Sequence, residues 1–150
     1  SNSELKGMGT TVVAAIITPD AVYVSHVGDS RAYLVSKNEI RQITKDHSVV
    51  QDMVEKGEIT PDEAKSHPRK NLITRALGVD EEVKADFLAE DTTSDDVLLI
   101  CTDGLSNFVD QSDIYRVVCD RPYTDFADTL VDMANEKGGA DNITVVAVAY

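Results

Sequence analysis

Two apolar runs, each bounded by an aspartate, most constrain what this chain can fold into. Val97-Leu98-Leu99-Ile100-Cys101 leads into Thr102-Asp103-Gly104-Leu105, and Gly138-Gly139-Ala140-Asp141-Asn142 leads into Ile143–Tyr150. Runs of this length, rich in β-branched residues, read as buried strands. Set antiparallel, the C-terminal end of the first and the N-terminal end of the second meet at one sheet edge, which brings Asp103 and Asp141 together. Adjacent carboxylates repel unless something positive lies between them, and a hard divalent cation is the usual answer. Taken singly, each aspartate also reads as an ordinary turn or cap residue.

A third aspartate belongs to the same argument. Val22–Val27 and Arg31–Val35 are strand-like, and Gly28-Asp29-Ser30 between them has the chemistry of a tight hairpin turn, so Asp29 also stands at a sheet edge. Whether it is the same edge stays open, as does a simple local ion pair with Arg31.

From Thr10 to Ile43 the pattern is β throughout: Thr11–Thr18, Ala21–Val27, Arg31–Val35 and Glu39–Ile43, joined by tight turns, predict an antiparallel meander. The stretch 44–75 is polar and broken. Ser48 with Gln51 predicts a capping box opening a short helix that stops at Gly57, and Thr60-Pro61-Asp62-Glu63 opens another. Leu72, Ile73, Ala76 and Leu77 are expected to return the chain to the core. Strands resume at Val83–Leu88 and Val97–Cys101. One amphipathic helix follows, capped by Asp110 with Asp113 three positions on. A second starts at Thr124, buries Phe126, Leu130, Met133 and Ala134, and ends at Gly138-Gly139. The last strand, apolar on both faces, predicts cover on both sides.

With 14 basic against 27 acidic side chains, the net charge of −13 disfavours nucleic acid and anionic membrane as partners. No run approaches the roughly 20 apolar residues of a membrane span. Cys101 and Cys119 have neither zinc nor redox spacing and are expected to be two buried thiols in a reducing, cytoplasmic setting. Ser1-Asn2-Ser3 has the look of an expression-tag remnant.

Six strings, in order, resemble the metal-dependent serine/threonine phosphatases of the protein phosphatase 2C class in their compact bacterial form. They are Gly7-Met8-Gly9-Thr10-Thr11, His26-Val27-Gly28-Asp29-Ser30-Arg31-Ala32-Tyr33, Ile43-Thr44-Lys45-Asp46-His47, Ile73-Thr74-Arg75-Ala76-Leu77-Gly78, Asp103-Gly104-Leu105-Ser106 and Gly139-Ala140-Asp141-Asn142-Ile143-Thr144-Val145. The resemblance implies an α+β fold, a four-layer α-β-β-α sandwich of two antiparallel sheets flanked by helices, truncated at the N-terminus. Residues 4–150 would be the C-terminal part of one phosphatase catalytic domain, with a flap-like insertion at about 44–75.

It further implies that Asp103 and Asp141 are ligands of a catalytic pair of Mg²⁺ or Mn²⁺ ions, with Asp29 joining Asp103 at a third. Such ions prefer oxygen ligands and retain waters, so few carboxylates suffice. The implied reaction is hydrolysis of phosphoserine or phosphothreonine in proteins by a metal-activated water, which needs no nucleophilic side chain. Consistently, the chain has no Cys-x5-Arg loop and no nucleophile elbow. Implied partners are phosphorylated proteins, a serine/threonine kinase and its substrates. A full member carries, upstream of Gly7, the bridging aspartate, a glutamate ligand and a histidine proposed as general acid. None is matched here, and His26, His47 and His67 fill none of those roles. The chain alone is therefore expected to be inactive and to self-associate through uncovered apolar faces. The alternative is a non-catalytic relative that binds a partner protein.

Overall fold

The computed structural model describes residues 7–150, so Ser1-Asn2-Ser3 lies outside the described residues. Among the described residues, seven strands form two antiparallel sheets. Strands β1 (Val12–Ile17), β2 (Ala21–Val27) and β5 (Asp86–Asp91) make one, in the order β1-β2-β5. Strands β3 (Arg31–Val35), β4 (Ile40–Gln42), β6 (Val97–Cys101) and β7 (Val145–Ala149) make the other, in the order β4-β3-β6-β7.

Period-2 alternation decides which side chains meet. Val22 and Val24 of the first sheet pack against Ala32 and Leu98 of the second, with Ile100, Val148 and Tyr150 beside them. The opposite face of the second sheet presents Tyr33, Val35, Leu99 and Cys101 to helices α4 (Gln111–Asp120) and α5 (Phe126–Glu136). Those helices bury Ile114, Val117, Phe126, Leu130 and Ala134, the i, i+3, i+4 stripe of their amphipathic pattern. Truncating a fully buried member such as Leu99 or Leu130 to alanine costs about 2–5 kcal/mol.

Among the described residues this is a three-layer stack: helices, sheet, sheet. The outer face of β1-β2-β5 leaves Ile16, Tyr23 and Phe87 exposed, Phe87 by 81%. No described helix is long and apolar enough to cross a membrane.

Several expectations need correction. The region 10–43 is not one meander: β1–β2 and β3–β4 are hairpins, but β2 and β3 belong to different sheets. Gly28-Asp29-Ser30 is therefore a corner between sheets, made possible by Gly28 at φ +110°, where a Cβ would lie 2.3 Å from Thr11 Cγ2. The fifth strand begins three residues later than Val83–Leu88 predicts, and the last begins at Val145.

Strand β7 is an edge strand, only half covered on either side, and Val146 is exposed. Leu72 and Ile73 stay exposed, Ile73 serving through a backbone bridge to Ser48; Ala76 and Leu77 are half-buried. Cys101 is buried but Cys119 lies exposed on α4.

The stretch 44–75 does hold two small helices, α1 (Val49–Glu55) and α2 (Pro61–Ser66). Thr60 and Glu63 form a complete capping box at α2. At α1 only half the box forms, because the Gln51 side chain turns to Glu55. Asp110 precedes α4 without a side-chain capping bond, and Asp113 pairs with Lys137 instead.

Candidate metal centre

The second sheet gathers all three aspartates at one rim. Arg31 lies opposite Cys101, and Cys101 opposite Val145. Asp29 precedes Arg31 by two residues, Asp103 follows Cys101 by two, and Asp141 lies four before Val145. The pairing of β6 with β7 continues one step past the strands. Thr102 donates its N–H to the Thr144 carbonyl at 3.1 Å and its hydroxyl to the Asn142 carbonyl at 3.2 Å. Thr144 returns an N–H to Thr102 Oγ1 at 3.0 Å.

Asp103 then opens a single helical turn, α3 (Asp103–Ser106), with Thr102 as N-cap. A Cβ on Gly104 would come 2.4 Å from the Asn142 carbonyl oxygen, so glycine alone lets α3 rest against the backbone that follows Asp141. The edge on which Asp29 stands, open in the sequence, is the same edge.

The electrostatics match a site that wants a cation. Burial, and next the charge of Asp141, raise the Asp103 carboxyl above the usual carboxylate range. Burial, and next the charge of Asp103, raise that of Asp29. Arg31 is the cation both of them feel, but its guanidinium is committed. Nε and Nη2 grip Asp46 at 2.9 and 2.7 Å, and Nη1 donates to the Tyr33 hydroxyl at 3.2 Å. Gln42 adds a third donor to Asp46 at 3.0 Å. The local Asp29–Arg31 ion pair left open by the sequence is thus replaced by Arg31–Asp46. Burial drives the Tyr33 hydroxyl and the Cys101 thiol each up to about 12, so neither is ionised beside the rim. Asp29, Asp103 and Asp141 offer carboxylate oxygens alone, a donor type that suits Mg²⁺ or Mn²⁺ and suits a soft metal poorly.

A second cluster escaped the sequence reading: His26, His47 and Asp86, whose ligating atoms lie within 4.8 Å of one another. Their types would suit a metal, but a cation already occupies the place. Arg75 Nη1 donates to Asp86 Oδ1 at 2.8 Å and sits 3.1 Å from His47 Nε2.

The tautomers follow from the partners. Gly28 donates its N–H to His47 Nδ1 at 3.0 Å, so the His47 proton is on Nε2, facing Asp86 Oδ2 at 3.2 Å. Burial lowers the affinity of His47 for a second proton, and His47 and Arg75 hold Asp86 below its ordinary value against its own burial. His26, 1% exposed and confined to the core side of β2 as a strand histidine should be, donates Nε2–H to the Lys45 carbonyl at 2.7 Å. The only sequence sign of this cluster was that His26, His47 and Arg75 each stand inside a family string, with nothing to say that they meet.

Comparison with known proteins is consistent across sequence and structure. A family model described as protein phosphatase 2C matches residues 1–143. The serine/threonine phosphatase stp of Listeria welshimeri is 44% identical over 149 residues, covering 99% of this chain and 59% of that protein. The crystal structure of the serine/threonine phosphatase Stp1 from Staphylococcus aureus superposes with a TM-score of 0.94 at 40% identity. That match covers 99% of this chain and 59% of that one. A PstP catalytic domain solved in complex with two manganese ions matches with a TM-score of 0.84 at 38% identity, covering 95% of this chain and 59% of that one. The chain thus spans about three-fifths of the length of these relatives.

Proposed function

This chain belongs to the protein phosphatase 2C family, and from that premise we propose that it forms the C-terminal part of a catalytic domain that hydrolyses phosphoserine and phosphothreonine in proteins. The single observation that carries the reading is the convergence of Asp29, Asp103 and Asp141 on one rim, each of the first two raised in proton affinity by burial and by a neighbouring carboxylate. A scaffold that only bound a partner would gain stability by discarding such acids.

Asp103 and Asp141 would hold the catalytic Mg²⁺ or Mn²⁺, and Asp29 with Asp103 a further ion. When bound, such ions lower the pKa of a coordinated water and neutralise charge on phosphoryl oxygens. The remaining work belongs to the chain. Its two strand ends and the Gly104 contact fix the carboxylates in place. The Arg31–Asp46 pair keeps a guanidinium near the rim without letting it neutralise the ligands. Residues 44–75 form a flap-like segment beside the site, and Arg31–Asp46 ties its first residues to that rim. The substrates would be phosphoproteins, including those of a cognate serine/threonine kinase.

The test is Mn²⁺-dependent hydrolysis of a phosphothreonine peptide by the full-length protein, with Asp103→Asn as control. Activity abolished in the control supports the phosphatase. A folded, inactive full-length protein that binds no Mn²⁺ favours the partner-binding relative instead.

A further inference from the structure

We propose that His47 is the positioning residue that sets the Asp29 ligand in place, by clamping the Gly28 peptide on both sides; the proposal rests on the metal-site reading above. Gly28 turns the corner between the two sheets at φ +110°, with Thr11 too close to admit any side chain. Thr11 Oγ1 meets Ser30 Oγ at 2.9 Å at the far end of this corner, but the N–H and C=O of Gly28 itself lie beyond the strand pairing. His47 supplies both missing bonds: it donates its backbone N–H to the Gly28 carbonyl at 2.9 Å and accepts the Gly28 N–H on Nδ1 at 3.0 Å. Asp29 is the next residue, so its placement follows that of Gly28.

The imidazole is in turn flanked on two further sides, and the His47 backbone is held as well. Nε2–H meets Asp86 Oδ2 at 3.2 Å, and Asp86 is held by Arg75 at 2.8 Å. The His26 ring lies 4.5 Å away, and His26 anchors the backbone two residues before His47 through the Lys45 carbonyl. The His47 carbonyl accepts from Thr74 at 2.8 Å. A line of contacts therefore runs from Arg75, through Asp86 and His47, to the turn that carries Asp29. Outer groups of this kind typically change metal affinity about 10- to 100-fold when removed.

Two substitutions separate the two ring nitrogens. His47→Asn keeps an acceptor near the Nδ1 position and loses the donor to Asp86; His47→Gln keeps a donor near Nε2 and loses the acceptor for Gly28. In the full-length protein, Mn²⁺ titration by electron paramagnetic resonance is expected to show affinity at the Asp29-dependent site weakened about 10- to 100-fold in His47→Gln and largely restored in His47→Asn. Asp29→Asn identifies that site. In the wild type, nitrogen NMR should find His47 protonated on Nε2 only, and the Gly28 amide should exchange slowly.

If Asp29→Asn weakens Mn²⁺ binding while His47→Gln does not, or both His47 variants weaken it alike, the positioning role is overturned and the metal site stands. If neither Asp29→Asn nor Asp103→Asn alters Mn²⁺ binding, the metal-site reading fails and the role of His47 with it. Should the variants not fold, a wild-type His47 carrying its proton on Nδ1 is sufficient to overturn the clamp.

Discussion

Gly104→Ala sets two effects against each other, and their sizes decide the sign. Gly104 lies in the single turn α3, and alanine is the better helix former by about 0.5–1 kcal/mol. Propensity alone therefore predicts a stabilised protein. Against it stands the Asn142 backbone: the added Cβ would sit 2.4 Å from the carbonyl oxygen and 2.9 Å from its carbon, where ordinary contact begins at 3.4 Å. Both neighbours are backbone held by the Thr102–Asn142 and Thr102–Thr144 bonds, so neither can swing aside as a side-chain tip would. Relief requires α3 and the 141–142 segment to part by about 1 Å.

Overpacking of this kind costs about 1–3 kcal/mol, so the net effect is a loss of up to about 2.5 kcal/mol, or up to about 10 °C in Tm for a chain of this size. The same 1 Å separates Asp103 from Asp141, and metal sites tolerate far smaller errors. Thermal melting and Mn²⁺ titration of the variant are the assays. An alanine variant that melts higher than the parent and binds Mn²⁺ unchanged would refute the reasoning, because propensity would have won and the close approach would be slack.

Other consequences follow from the same charges and surfaces. Without metal, Asp103→Asn should melt above the parent, because it removes a carboxylate whose neighbours oppose its ionisation; with saturating Mn²⁺ the order should reverse, and melting in the two buffers checks both. Metal-free stability should fall on acidification from pH 7. Burial holds His47 below its ordinary 6.5, so the unfolded chain takes up a proton that the fold resists, at no more than about 1.4 kcal/mol per pH unit. The slope should flatten in His47→Asn, and a Tm that rises from pH 7 to 5.5 would contradict this. The uncovered Ile16–Tyr23–Phe87 face should drive self-association of the chain alone, with Phe87→Glu returning it to a monomer in sedimentation.

The legible parts of the site were those set by local chemistry. Asp103 and Asp141 could be brought together on paper because β6 and β7 are near-continuous apolar runs whose ends are unmistakable, and antiparallel pairing does the rest. Asp29 could be placed at an edge but not at a particular one. A Gly-Asp-Ser turn serves a hairpin and a corner between sheets equally well. Only the long-range choice of β5 as partner for β2 separates the cases. Strand β5 itself was misplaced because Asp86-Phe87-Leu88-Ala89-Glu90-Asp91 turns its large aromatic outward and its charges partly inward, against the usual pattern. The roles of Asp46, His47, Arg75 and Asp86 were illegible for a related reason: the bonds that join them to one another and to Gly28 and Arg31 link residues 11 to 39 positions apart.

Two backbone approaches too close for any side chain flank this one rim. Gly28 is pressed on Thr11 beside Asp29, and Gly104 on the Asn142 peptide beside Asp103 and Asp141. The Gly28 contact lies outside both cores, and the Gly104 contact lies at the end of the helix-side core, next to Leu105 and Ile143. Each forces a turn inward at the end of a strand, which is where a carboxylate must go to meet two others. Gly104 forgoes helix propensity, and the aspartates delivered at the two points repel one another. A fold selected for stability alone has no reason to combine those costs at one place. A cation bound between the carboxylates reverses the sign of the second cost and makes use of the first. On the proposed reading, the close approaches at Gly28 and Gly104 would belong to the metal centre as much as the three aspartates themselves.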